Sequence, residues 1–459
     1  MNYLKNIIGH SLWSTTAALL TIVLQAILYF VITRFIVPEE LGLYALASSF
    51  IFIFVTILEN SFSNSLISLG KPDEKDYSSV LAINIIASLA FSVLSLFFAF
   101  SYSHYFQHPP LFTIVLTMIP ILVLTGYNSV HYAGLKNKLN FNVIAIIDII
   151  GISVFFISTI SFAFLGLGLW SLVYGMLFRH ITTTLSLIFS GNLCCSFGLD
   201  LFNLPWRKHY AFGKYIMLEK GFSSLIGYAD VFLINHFLGL NVLGIYDIIK
   251  KIIIRPVLIL YASLEQIIFP MLSQNKSNST AYNLAYKDFQ KMTAFIFISC
   301  LALIYINSDF IIGFFPAQYS NFNFTFQLLA ILCSTMILIN PIDIILYSVG
   351  KTRTFLIWFL SVSLIQLLIM YFSVQYNIDT FIMSMSAFNL IIFLFSYFLL
   401  IKRFTLIEMN NYFIFFLILI TTSTLIYIIK TYTPQNITQI FILNFTIIAL
   451  LTYSLYKTK

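Results

Sequence analysis

Apolar residues run through this chain in long blocks, and Gly, Pro, Asn and charged residues punctuate them. A helix rises about 1.5 Å per residue, so roughly 20 residues cross a hydrocarbon core of about 30 Å. Fourteen blocks meet that length, at 11–33, 42–66, 79–101, 110–132, 142–164, 167–190, 214–237, 243–272, 289–308, 323–347, 354–374, 380–401, 412–430 and 437–456. Backbone amides in lipid must bond within their own segment, so each block predicts a helix. The first block continues to about Ile32 with no small-residue cleavage site, which predicts a span and not a signal peptide. The expected architecture is an all-α polytopic membrane protein.

Composition agrees with that pattern. Of 459 residues 60% are hydrophobic and 9% charged, against about 25% charged in soluble domains, which excludes a soluble globule. Lys and Arg then orient the spans, because basic residues near span ends are retained in the cytoplasm. One set of alternate segments holds 18 of the 24 basic residues, from Lys5 through Lys136 and Arg179 to Lys459, while the other side has Arg34 and Lys430. Both termini are therefore expected in the cytoplasm. The net charge of +7 is mostly this topology signal and not a nucleic-acid footprint. Cys194 and Cys195 are adjacent, and Cys300 and Cys333 lie in apolar runs, so no metal-ligand or redox spacing is present.

The chain also repeats. Residues 34–44 read RFIVPEELGLY and residues 236–246 read HFLGLNVLGIY, so Phe35, Leu41, Gly42 and Tyr44 recur 202 positions later as Phe237, Leu243, Gly244 and Tyr246. The displacement covers an even number of spans, which predicts a parallel repeat about an axis along the membrane normal. The domain plan is a six-helix lobe over 1–205, a second over 206–405, and a helix pair over 406–459. The longest linker, about 191–213, contains the aromatic-basic stretch PWRKHY.

Charges at bilayer depth are costly and mark candidate functional positions. In the eighth span Asp247, Lys251 and Arg255 follow i, i+4, i+8, with Glu265 five turns from Asp247 and Lys250 beside the stripe. Pro256 permits a kink there. In the seventh span Glu219 and Asp230 share a face and Lys220 neighbours it. Lys250 and Lys251 either serve a cavity or snorkel to the interface. Asp148 and Asp343, isolated in apolar text, either bind a proton or cation or cap a broken helix. Glu59, Asn60, Asn64, Asn128 and His131 suggest a polar lining in the first block, which helix–helix hydrogen bonding also explains.

The stretches SLWST near the start, RFIVPEELGLY at 34–44, GLGLWSLV at 166–173 and FLINHFLGLNVLGIY at 232–246 resemble the polysaccharide biosynthesis exporters. More closely, the chain is similar to Wzx-type O-antigen flippases of the multidrug/oligosaccharidyl-lipid/polysaccharide (MOP) superfamily. The resemblance implies two six-helix lobes about a central cavity, a terminal helix pair, and alternating-access transfer of undecaprenyl-diphosphate-linked oligosaccharide across the bacterial inner membrane. It implies membrane lipids and the polysaccharide polymerase and chain-length machinery as partners, a monomeric transporter, and no cofactor, with Na+ or H+ coupling left open. The family places an arginine after the first span, where this chain has Arg34; the second copy has His236.

The residues support the same direction. A diphosphate headgroup crossing lipid needs its charge compensated, and Arg255, Lys251, Lys250, Lys220 and Arg34 are the candidate cations. Asp148, Glu219, Asp230, Asp247, Glu265 and Asp343 are the candidate coupling or pairing acids. Two alternatives stand beside this reading: a cation-coupled multidrug antiporter of the same superfamily, and a membrane polysaccharide polymerase. Every outward loop is short and no His/Asp/Glu constellation gathers on one face, which disfavours the enzyme. No nucleotide-binding motif is present.

Overall fold

The computed structural model describes residues 2–69, 72–106, 108–191, 205–275, 278–293, 304–405, 407–410 and 412–413. Among them the chain is helical with no strand. Its first nine helices are α1 (Asn2–Ile32), α2 (Pro38–Asn60), α3 (Ser63–Leu69), α4 (Glu74–Tyr105), α5 (Pro109–Asn137), α6 (Phe141–Phe164), α7 (Trp170–Phe189), α8 (Trp206–Gln274) and α9 (Ser279–Thr293). Further helices cover Asn323–Ile339, Pro341–Ser348, Thr352–Val374 and Ile378–Ser396. Eight stretches among the described residues are long and apolar enough to cross a membrane. The predicted spans 13 and 14 lie outside the described residues, apart from Tyr412 and Phe413, as do Cys194, Cys195, Cys300 and part of span 9.

The chain divides into two compact units, Met1–Asp247 and Ile248–Lys459. In the first, α1 packs on α6, α6 on α7, and both α2 and α4 on α5. Small residues permit these approaches, as expected where lipid gives helices no hydrophobic reason to associate. Ser88, Ser92 and Ser95 form a buried stripe on α4. The Asn84 amide donates to Ser129 Oγ at 2.8 Å and Ser63 Oγ at 3.2 Å, joining α4 to α5 and α3. In the second unit, 323–339 packs on 378–396, which packs on 352–374. The 18-residue window of 352–374 is 11% buried and that of 38–68 is 83% buried. The first therefore presents its Leu and Phe side chains outward while the second runs through the protein.

The helix α8 joins the predicted seventh and eighth spans through a single non-helical residue, Gly239, at φ 83° and ψ 172°. That region is open to glycine at little cost. Through Pro256 the backbone stays helical, and the break in α8 falls at Gly239 instead. α9 begins ten residues before the predicted ninth span. Its buried face mixes Tyr282, Tyr286 and Phe289 with Asn283 and Gln290, so a pure hydropathy reading stops short of it.

The two copies of the repeated turn meet. A Cβ at Gly42 would overlap the Leu240 carbonyl oxygen, and a Cβ at Gly244 would overlap the Pro38 carbonyl oxygen. Pro38 and Leu240 are themselves 202 residues apart, so each copy places its glycine against the carbonyl four residues before the other's. Such reciprocity is what a two-fold relation between copies requires. It also explains why both copies carry glycine in a helix that would otherwise favour alanine.

Candidate functional site

A polar cavity of about 290 Å³ opens among α2, α3, α5, α6 and α7 in the first unit. It forms where the second span is interrupted. α2 ends at Asn60, the chain bends at Ser61 and Phe62, and α3 resumes at Ser63. The break delivers Glu59, Asn60, Ser63 and Asn64 to one wall. α5 supplies Thr125, Asn128, Ser129, Tyr132 and Lys136, spaced i, i+3, i+4, i+7 and i+11 and so on one face. α6 contributes Asp148, and α7 contributes Arg179, His180 and Thr183.

Hydrogen bonds hold this lining in place. The Tyr132 hydroxyl donates to Asp148 Oδ1 at 2.7 Å. Thr184 donates to Asn128 Oδ1 at 2.9 Å, tying α7 to α5. Asp148 is exposed to the space it lines, and the charges of Arg179 and Lys136 reach it. Two cations and two carboxylates thus share the cavity, with amides and hydroxyls between them. Arg179 is the tenth residue of a 20-residue helix, near mid-span, where a guanidinium is most costly without polar company. Such a site can hold a ligand that carries both charge and many hydroxyls.

Sequence reasoning found Glu59, Asn60, Asn64, Asn128 and Asp148 but not Arg179, which it counted among the loop cations that set orientation. The signal was available, since Arg179 falls inside the predicted span 167–190. Lys136 was likewise read only as a span-end charge; it is the penultimate residue of α5 and lines the cavity. His131 is buried within α5 beside Tyr127 and belongs to the packing.

The other predicted residues are spread more widely. Asp230 is buried and accepts the Tyr246 hydroxyl at 2.8 Å, across the Gly239 break. Glu219 pairs with its neighbour Lys220 at 3.3 Å on a partly exposed surface. Eleven residues separate Glu219 from Asp230, roughly 16 Å of helix rise, so they act as separate groups. Arg34 is exposed in the turn after α1. Asp247 is buried at the end of the first unit. In the second unit Lys250, Lys251 and Glu265 are half-buried and Arg255 is exposed. Asp343 sits in the first turn of 341–348, where its carboxylate accepts the Ile344 amide at 2.6 Å. Among the described residues no group of three His, Cys, Asp or Glu is placed to hold a metal.

The first unit also carries an apolar groove of about 400 Å³, lined by Phe50 and Phe54 of α2, Phe98 and Tyr102 of α4, and Leu225 and Phe232 of α8. Asn235 fixes the Tyr102 hydroxyl from α8 at 2.9 Å.

This helical arrangement resembles the fold of solved transporters of the MOP superfamily. It matches the inward closed conformation of the lipid II flippase MurJ with a TM-score of 0.74 at 15% identity, over 98% of this chain and 99% of that one. It matches an inward-facing MATE multidrug transporter of the MOP superfamily at 0.65 and 14% identity, over 92% and 100%. Within that class, residues 31–322 match the family described as polysaccharide biosynthesis protein, and the chain belongs to that family. The teichuronic acid biosynthesis protein TuaB of Bacillus subtilis (strain 168) is 22% identical over 329 residues, 70% of this chain and 66% of TuaB. The chain thus spans just under two thirds of TuaB's length. The lipopolysaccharide biosynthesis protein WzxC of Escherichia coli (strain K12) is 19% identical over 352 residues, 76% of this chain and 72% of WzxC.

Proposed function

We propose that this protein is a transporter and not an enzyme, a flippase that carries undecaprenyl-diphosphate-linked oligosaccharide across the inner membrane for O-antigen or other surface polysaccharide assembly. The observation that carries the reading is the mixed-charge, hydroxyl-rich cavity with Arg179 at mid-span, inside a fold of this superfamily. A glycan keeps its hydroxyls hydrogen-bonded there while a guanidinium offers two donors to a phosphate. The aromatic groove of α2, α4 and α8 is chemically suited to the polyprenyl tail. Arg255, Lys251 and Lys250 are proposed as further contacts of the diphosphate, with Lys220 and Arg34 along its path. The lobes 1–205 and 206–405 are the proposed rocking elements.

Deletion of the protein is expected to leave lipid-linked repeat units facing the cytoplasm and to abolish surface polysaccharide, with synthesis of the units intact. Loss of the units themselves would point to an enzyme. The antiporter alternative draws on the acids Glu59 and Asp148 in the same cavity; uptake of organic cations by vesicles, with no flipping of lipid-linked sugar, would favour it.

The proposed orientation, with both termini cytoplasmic, makes a separate prediction. A cysteine at Ser320, exposed in the turn before 323–339, should react with an impermeant thiol reagent in spheroplasts. One at Thr352, exposed at the start of 352–374, should react only after the membrane is opened. The reverse pattern would invert the topology.

A further inference from the structure

We infer that the first three turns of α8 form a docking surface for anionic phospholipid headgroups, independent of the transport reading. The segment is the PWRKHY stretch and its continuation. Only His209 and Gly213 of residues 206–215 are buried, spaced i, i+4 on one face, and that face is clamped. His209 Nε2 meets Asp76 Oδ1 at 3.0 Å, its Nδ1 meets Ser65 Oγ at 2.7 Å, and Gly213 packs on Phe62. Asp76 is itself fixed, because it caps α4 in a reciprocal box with Asp73. Lys208 joins the clamp through Asp76 at 3.7 Å.

Apart from Lys208 on Asp76 and the Tyr210 ring stacked on Phe62, the rest of the segment is open to its surroundings. Trp206, Tyr210, Phe212 and Tyr215 are 43% to 68% exposed. Arg207 and Lys214 stand i, i+7 on one stripe, about 10.5 Å apart along the axis. Arg207 lies over the Trp206 ring at 5.5 Å and Lys214 over the Tyr215 ring at 5.0 Å. The helix enters the predicted span near residue 214, so 206–213 stand roughly 12 Å beyond it, at headgroup depth.

Exposed aromatics beside cations at that depth match the interface chemically: rings with polar edges suit the headgroup layer, and the cations suit lipid phosphate. Exposed rings spread around the helix beside the cations suit a lipid headgroup layer better than a single acidic protein surface. The clamp fixes the backbone of the stripe, so binding has only its side chains left to order.

The test is a titration of the purified full-length protein in detergent with phosphatidylglycerol, read as the shift in melting temperature. Each basic side chain near an anionic surface contributes about fivefold to binding. Arg207→Gln with Lys214→Gln should therefore weaken the apparent affinity by about 25-fold while leaving the lipid-free melting temperature unchanged. The exchange Arg207→Lys with Lys214→Arg should retain binding. A control with the same charge change at span ends outside this stripe, Lys138→Gln with Lys402→Gln, should weaken binding clearly less than the stripe variant, and phosphatidylcholine should give no comparable shift. Equal weakening in the control, equal binding of phosphatidylcholine, undiminished binding by the double variant, or binding of undecaprenyl diphosphate but not phosphatidylglycerol would each overturn the inference.

Discussion

Replacing Gly244 by alanine is expected to cut export at least tenfold and to lower the melting temperature, and Gly42→Ala should do the same. The obstacle in each case is a backbone carbonyl, Pro38 for one and Leu240 for the other, which cannot rotate away as a side chain can. Overpacking of this kind typically costs about 1–3 kcal/mol. Here the added methyl also forces apart the two copies of the repeat where they cross. If the proposed transport cycle alternately joins and parts the repeats, a variant that cannot close this crossing stalls it even when the protein is made. Gly227→Ala on α8 supplies the comparison, since nothing lies within 4 Å of the new methyl. Helix propensity then makes that change neutral or stabilising by up to about 1 kcal/mol. Wild-type melting and export in Gly244→Ala would show that the crossing yields without consequence.

That crossing was half legible in the chain. The repeat spacing identified Gly42 and Gly244 as equivalent, but periodicity says nothing about which surfaces of two equivalent turns touch. The spans read well where hydropathy alone decides, as in α4, α6 and 352–374. They read poorly where polar residues enter the packing, as in α9, whose buried Asn283 and Gln290 make it look like a loop. The cavity was partly visible because Glu59 and Asp148 stand out against apolar text. Arg179 did not stand out, because the rule that orients spans by their basic residues absorbed it. The His209 clamp left no local signal: its partners Ser65 and Asp76 are more than 130 residues away in sequence. The evenly spaced eighth-span charges lie on one continuous stretch of α8, with Asp247 buried and Arg255 exposed.

Arg179→Ala should reduce flipping of lipid-linked sugar by about 10- to 100-fold, the loss expected when one charge-assisted contact of about 1.5–3 kcal/mol is removed. Arg179→Lys should recover only part of it, because an ammonium keeps the charge but not the two-pronged grip on phosphate. A purely structural arginine would give a similar first result. Its charge reaches Asp148 and Glu59, so removing it leaves those carboxylates less compensated and can lower stability as well. The two explanations separate in the double variant Arg179→Ala with Asp148→Asn. Removing both charges relieves an orphaned carboxylate, so a structural role predicts recovery of melting temperature and of flipping together. A phosphate contact predicts recovered stability with flipping still depressed, since no cation returns to the α7 wall of the cavity. Arg255→Ala belongs in the same experiment because Arg255 is proposed to meet the same diphosphate from the second unit. Flipping at the wild-type rate in Arg179→Ala, at normal expression, would remove this cavity from the substrate's path.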